Sequence, residues 1–218
     1  GRKFLDICKK LPSQENVEIS HNNQKVTLKT SLGRYTLATI APEEFPNIEE
    51  DKPLLEFQIA QNELKKLLEK THYAMAQQDV RYYLNGMLWE VLAGDLNVVA
   101  MDGHRFAHAF QKISSGNNEN NKVLAPYKGV AELNRLLEPS DEPAMVTFCA
   151  NHLSVTMDSI NFRCKLIDGA FPDYKMLLRA VGKNSLVIDS EQLKQVLSRL
   201  AILASEQDNA VRLDLSQG

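Results

Sequence analysis

Asp102, His104 and His108 carry the donor types of a hydrolytic metal centre: a carboxylate and two imidazoles able to hold zinc or manganese and activate a water. In strand geometry His104 and His108 would share a face. Their separation and the want of a further clear ligand speak against such a centre, and Asp102-Gly103 reads equally as a turn that uses glycine's backbone freedom. No Ser/His/Asp or Cys/His set has supporting context. Cys8, Cys149 and Cys164 lack the spacing of a zinc site or a disulfide framework, and Cys8 and Cys164 sit in amphipathic stretches as core residues. A second kind of chemistry is better supplied. Arg81, Tyr82, Tyr83, His104 and Arg105 surround Leu84 and Phe106 with cations, phenols and apolar surface, the equipment of a recognition face.

Something must bring these residues together. Two apolar runs, 87–92 and 98–101, flank Ala93-Gly94-Asp95-Leu96-Asn97, which predicts a β-hairpin with the Leu84 end of one strand beside the His104 end of the other. Upstream, 2–11 reads as a helix with Phe4, Ile7, Cys8 and Leu11 on one face, stopped by Pro12. Strands follow at 17–20, 25–30 and 34–40, then Phe45-Pro46-Asn47 and the acidic connector Glu49-Glu50-Asp51-Lys52-Pro53. A strand at 54–59 leads into a helix reaching about Met75, with Leu64, Leu67, Leu68 and Thr71 buried. After the hairpin come a polar loop at 114–121 and a helix at 128–138 with Val130, Leu133, Leu136 and Leu137 inward. Strands at 145–149, 153–157 and 161–167 precede Asp168-Gly169-Ala170-Phe171-Pro172-Asp173-Tyr174. A strand at 186–189 and a helix capped by Asp189 or Ser190 and running to about Leu203 complete the reading.

The order repeats. Leu64-Lys65-x-x-Leu68 returns as Leu193-Lys194-x-x-Leu197, and Gln78-Asp79 as Gln207-Asp208, each 129 residues on. Phe45-Pro46-Asn47 returns as Phe171-Pro172-Asp173, and Ile7 and Leu11 as Leu133 and Leu137, each 126 residues on. The expected architecture is α+β: repeated layers of two helices on antiparallel strands. The chain would hold the back half of one repeat (1–52), one whole repeat (53–180) and the front of a third (181–218).

Composition bounds the function. The 218 residues are 44% hydrophobic and 24% charged, with net charge −3, which disfavours tight static binding to nucleic acid. Charge is nevertheless unevenly placed. The four helical stretches hold 11 Lys/Arg against 6 Asp/Glu, whereas the rest holds 14 against 22. Basic helices in an acidic chain point to a shared polyanion. No apolar run reaches the roughly 20 residues of a membrane span and no signal peptide is visible, so a cytoplasmic protein with reduced thiols is expected. The chain opens on Gly1 rather than Met, which suggests a fragment of a longer protein.

Gln78-Asp79-Val80-Arg81-Tyr82-Tyr83-Leu84-Asn85-Gly86, Asp102-Gly103-His104-Arg105 and Asp168-Gly169-Ala170-Phe171-Pro172-Asp173-Tyr174 together resemble the bacterial replicative sliding clamp, the beta subunit of DNA polymerase III. The resemblance is collinear over the whole chain. It implies a processivity factor without catalytic residues or cofactors: a homodimeric ring, three like domains per protomer, that encircles duplex DNA without reading sequence. It also implies docking of the replicative polymerase, clamp loader and repair proteins through linear peptides. Gln78, Arg81, Tyr82 and Tyr83 are implied to approach DNA, beside the basic helix residues Lys65, Lys66, Lys70, Lys128, Arg135, Lys194 and Arg199. The implied peptide pocket uses Leu84, Met101, Gly103, His104, Arg105, Phe106, Pro172, Met176 and Leu177. Tyr35 and Leu37 on a strand, against Ile202 and Leu203 on a helix, match the family's protomer interface. Met101, Phe106 and Met176 depart from the family's commoner Thr, Leu and Arg, which keeps the pocket apolar and alters peptide preference. The family's C-terminal tail, part of the same pocket, has no counterpart in this sequence, so weaker peptide binding is expected.

Overall fold

The structure is a computed structural model that describes residues 1–44, 52–114, 120–179, 186–202 and 211–214. Phe45-Pro46-Asn47, the acidic run 49–51, most of the polar loop 114–121, Leu203 and Gln207-Asp208 lie outside the described residues. The chain divides into two units, Gly1–Leu54 with Cys149–Asn151, and the remainder.

In the first unit, helix α1 (Arg2–Cys8) precedes β1 (Glu18–Asn22), β2 (Lys25–Thr30) and β3 (Gly33–Ala38). The three strands form one antiparallel meander in the order β1-β2-β3. Phe4, Ile7, Cys8 and Leu11 are the partly buried residues of the first helical stretch, as its periodicity predicts. Along β3 burial alternates, with Tyr35 and Leu37 on the shielded side, the two-residue period of a half-covered sheet.

The second unit contains two four-stranded antiparallel sheets. Strand β4 (Leu55–Ala60) runs straight into α2 (Gln61–Glu69), and β5 (Gly86–Leu92), β6 (Asp95–Met101) and β7 (Phe106–Lys112) form a meander. Next come β8 (Asn121–Pro126), α3 (Tyr127–Leu136), β9 (Pro143–Phe148), β10 (His152–Met157) and β11 (Ile160–Lys165). One sheet has the order β11-β10-β9-β4 and the other β7-β6-β5-β8. The last helices among the described residues are the short α4 (Lys175–Arg179) and the longer α5 (Ser190–Ala201). The repeat is visible in these bounds: α1-β1-β2-β3 returns as α3-β9-β10-β11 about 126 residues later, and α5 starts 129 residues after α2.

Strands β5 and β6 are covered on both faces. Met87, Trp89 and Val91, with Leu96, Val98 and Ala100, enter the main core beside Leu64, Leu68, Leu133 and Phe148. The alternate residues Leu88, Val99 and Met101 enter a smaller cluster with Ala76, Leu84, Leu124 and Tyr174. Burial on both faces explains why 87–92 reads as a nearly continuous apolar run.

Several elements differ from the sequence reading. The helix expected to reach Met75 ends at Glu69, because the Thr71 hydroxyl donates back to the Leu67 carbonyl (2.7 Å) and a 3-10 turn, His72–Ala74, takes over. The hairpin loop is two residues rather than five. Leu92 pairs with Asp95, and Ala93 and Gly94 both adopt positive φ (52° and 83°), the turn whose twist suits paired strands. Strands β7 and β8 and helix α4 went unanticipated; in β7 the polar His108, Gln111 and Lys112 blur the apolar signal. The strand expected at 186–189 is irregular, with Val187 95% exposed. No ladder partner stands beside it among the described residues, and an isolated extended segment is not stable as a strand. Helix α5 does begin on its predicted cap, since Asp189 accepts from the Gln192 amide at 2.8 Å.

Candidate functional site

The 78–86 loop is tied by its own side chains. Asn85 and Asp79 exchange two hydrogen bonds, each 2.9 Å, and the Arg81 guanidinium grips the Asp79 carboxylate at 2.8 and 3.1 Å. The same guanidinium donates to the Asp102 carbonyl at 3.3 Å, which joins this loop to the 102–105 turn. Gly103, at φ +92°, carries the turn past Arg81; a Cβ there would sit 3.0 Å from a guanidinium nitrogen. Tyr82 is 57% exposed and stands edge-to-face with Tyr83. The hydrogen bonds from Arg81 hold the Asp79 carboxyl at about 2 rather than the ordinary 3.8. A depressed folded value means the clasp is at full strength above 3.8 and is lost as pH falls through about 2. The Arg81 amide, bonded to Asp79, should therefore titrate by NMR with a midpoint near 2. A midpoint near 4 would show the clasp to be absent in solution.

Asp102 is committed to structure. One carboxylate oxygen accepts from the His104 and Arg105 amides, both at 2.9 Å, and the other from Arg105 Nε at 2.9 Å. Burial opposes its ionisation, yet these hydrogen bonds outweigh burial and leave its pKa below the ordinary value. The His108 ring lies within hydrogen-bond reach of Asn97 Oδ1 (3.0 Å) and between the rings of Phe110 and Tyr174. The Asp102 carboxylate and the His108 ring are thus engaged elsewhere, while His104 is exposed and enters the turn's hydrogen bonding through its backbone amide. Among the described residues no three His, Cys, Asp or Glu side chains gather around a metal position. Cys164 is likewise no ready nucleophile, since burial pushes its thiol up to about 11.

Beside the turn lies an open apolar groove of about 580 Å³, lined by Met101, Gly103, His104, Arg105 and Phe106 on one side and Pro172, Asp173, Met176 and Leu177 on the other. Eight of the nine residues expected for a pocket stand here. Leu84 is the exception: at 2% exposure it lies in the cluster beneath. Met176 and Leu177 are 68% and 48% exposed, large for apolar side chains, and Arg105 reaches over the Tyr73 ring at the rim. Two important residues escaped the sequence reading. Asp173 lines the groove, and Glu90, 5% exposed in β5, accepts from the Tyr174 hydroxyl at 2.7 Å. A lone carboxylate inside the 87–92 apolar run was the available signal.

The basic residues divide into two groups. Lys66, Lys128 and Arg135 are exposed on α2 and α3, Lys70 just past the end of α2, and Lys194 and Arg199 on α5, with Arg135 held by Glu132. Lys65 differs. Its ammonium donates to the Leu137 and Asn134 carbonyls (2.8 and 3.4 Å) and caps the end of α3 instead of facing solvent. In the first unit, Tyr35 and Leu37 line an apolar hollow of about 430 Å³ with Ile7 and Leu11. Ile202, in the second unit, is 81% exposed just past α5.

Residues 58–173 match the DNA polymerase III beta subunit central domain, and residues 1–49 match its N-terminal domain. The chain belongs to the DNA polymerase III beta subunit family. The beta sliding clamp of Pseudomonas aeruginosa is 42% identical over 218 residues, which is all of this chain and 59% of the relative. A crystal structure of the P. aeruginosa beta subunit matches 94% of this chain and 56% of its own at TM-score 0.83 and 42% identity. Another P. aeruginosa sliding clamp, bound to griselimycin, matches all of this chain and 59% of its own at TM-score 0.84 and 41% identity. The α+β layers described above are therefore those of the beta subunit fold.

Proposed function

We propose that this chain is part of a DNA sliding clamp: a non-enzymatic processivity factor whose ring encircles duplex DNA and docks partner peptides in the 101–106/172–177 groove. The observation that carries the reading is that groove, formed on a member of the beta subunit family. Exposed Met176 and Leu177 on one wall and the partly buried Phe106 on the other, with a histidine and an arginine at the rim, suit a short apolar peptide held by a few polar contacts. A griselimycin-bound relative supports a ligand-docking role for this fold. Lys66, Lys70, Lys128, Arg135, Lys194 and Arg199 would meet phosphates without reading bases, which suits sliding. Gln78, Tyr82 and Tyr83 would project from the neighbouring loop, with Arg81 divided between that role and its clasp on Asp79. Tyr35 and Leu37 of one protomer would meet Ile202 and Leu203 of another to close a homodimer. The proposed partition is 1–52, 53–180 and 181–218, and the proposed compartment is the cytoplasm, where polymerase, clamp loader and repair proteins would be the partners. Among the described residues no helix is long and apolar enough to cross a membrane.

Two experiments test the two halves of this proposal. Full-length protein loaded on a nicked circular duplex should dissociate once the circle is linearised; equal retention on both refutes encirclement. A fluorescent Gln-Leu-Ser-Leu-Phe peptide should bind the full-length protein and lose affinity on His104→Ala. No binding at high micromolar peptide sinks the docking assignment.

A further inference from the structure

Glu90 lies inside the protein with nothing in a processivity role to explain it. It stands mid-strand in β5, and its side chain is only 7% exposed. A buried carboxylate is costly unless hydrogen-bonded or paired, and here the two partners come from one place. The Tyr174 hydroxyl donates to Glu90 Oε2 at 2.7 Å, and Lys175 Nζ lies 3.4 Å from the same oxygen. Both belong to the segment that supplies one wall of the groove. Tyr174 is itself 4% exposed, and its ring stacks on Phe106, a residue of the opposite wall, with centroids 6.5 Å apart.

Upstream, the segment is held by the Ile167 amide, which donates to the Leu124 carbonyl at 2.9 Å, and by Ile167 and Phe171 packed on the small cluster; it has no ladder of its own. Residues 166–174 belong to no helix or strand, and α4 has only five residues. Tyr174 is where that helix starts, because its carbonyl accepts from the Leu177 and Leu178 amides at 3.0 and 3.2 Å. The Lys175 amide is capped by the Asp173 side chain at 3.0 Å. The position of Met176 and Leu177 therefore follows from where Tyr174 sits. The Tyr174 hydroxyl is set by Glu90.

We infer that Glu90 is the positioning residue of the groove: it anchors Tyr174 and Lys175, and so fixes the wall formed by Pro172, Met176 and Leu177, without touching the docked peptide. The inference rests on the docking role proposed above. It assigns the affinity of the groove in part to a carboxylate beneath the aromatic layer. It also separates the two contacts. Glutamine at position 90 can still accept from the Tyr174 hydroxyl but carries no charge for Lys175. Leucine can do neither, and Tyr174→Phe removes the hydroxyl alone.

The test uses full-length protein carrying Glu90→Leu, Glu90→Gln or Tyr174→Phe, with two readouts. Binding of fluorescent Gln-Leu-Ser-Leu-Phe should weaken about tenfold in E90L and Y174F, as expected for breaking a buried charge-assisted hydrogen bond, and stay within about threefold in E90Q. Hydrogen exchange without peptide should quicken at the Leu177 and Leu178 amides in E90L and Y174F, with the β10 amides unchanged. The quiet β10 amides would separate a displaced wall from general loosening. Y174F, which only removes an oxygen, keeps the test decisive if E90L does not fold. Unchanged exchange at Leu177 and Leu178 in Y174F overturns the anchor, as does parental affinity in Y174F despite faster exchange. A parent protein that ignores the peptide overturns the docking role instead, and the exchange data still decide whether Glu90 holds the wall.

Discussion

Replacing Phe148 by alanine is expected to cost about 3–5 kcal/mol of folding stability. Phe148 is fully buried at the end of β9, opposite Leu55 of β4 and Leu153 of β10. Its ring meets Phe57 edge-on at 5.6 Å and Trp89 at 6.5 Å. Trp89 belongs to β5, in the other four-stranded sheet. Phe148 thus fills the space where the two sheets share one core, and two aromatic pairs of about 0.5–1.5 kcal/mol each are lost with it. Trp89 is the single tryptophan of the chain, so its fluorescence reports on this contact directly. The variant should shift the native emission to longer wavelength and lower the urea midpoint with little change in slope. A loss below about 1 kcal/mol would mean that the site collapses around the missing ring, and that the sheets are joined mainly elsewhere.

The same two-sided packing explains what the sequence could and could not reveal. Period and caps located α1, α2, α3 and α5, because Leu64, Leu68, Val130 and Leu133 recur at helical spacing and face the core. The element repeat was legible for a related reason: the apolar stripes that α2 and α3 bury recur at matching positions in α5 and α1. Helix ends were less legible, since the end of α2 depends on a hydroxyl that bonds backward from Thr71, a local competition invisible to periodicity. Strand β7 was missed because His108, polar by type, sits between aromatic rings where burial depresses its pKa against the pull of Glu90. For the groove, the family resemblance named the wall residues. It did not separate wall from support. Lys65 illustrates the same limit, being basic and helical yet turned onto the carbonyls of α3. Side-chain direction depends on the neighbouring helix, and no pattern within α2 records it.

Leu84 divides wall from support most sharply, and its truncation is the second large effect expected. Leu84→Ala should destabilise the protein by about 2–5 kcal/mol, because the side chain is 2% exposed among Leu88, Val99, Met101 and Leu124. His104→Ala, at an exposed position on the rim, should change stability by no more than about 0.5 kcal/mol. Peptide affinity should fall in both variants, for different reasons. His104 loses a contact, whereas the loss at position 84 lets Met101 and Phe106 sink into the space below them. Leu84→Met, which conserves volume and apolarity, should cost under about 1.5 kcal/mol and restore most of the affinity. Urea unfolding and peptide anisotropy on the same three variants separate these roles. If Leu84→Ala weakens the peptide while leaving stability intact, Leu84 touches the ligand, and the groove opens one layer deeper than its walls indicate.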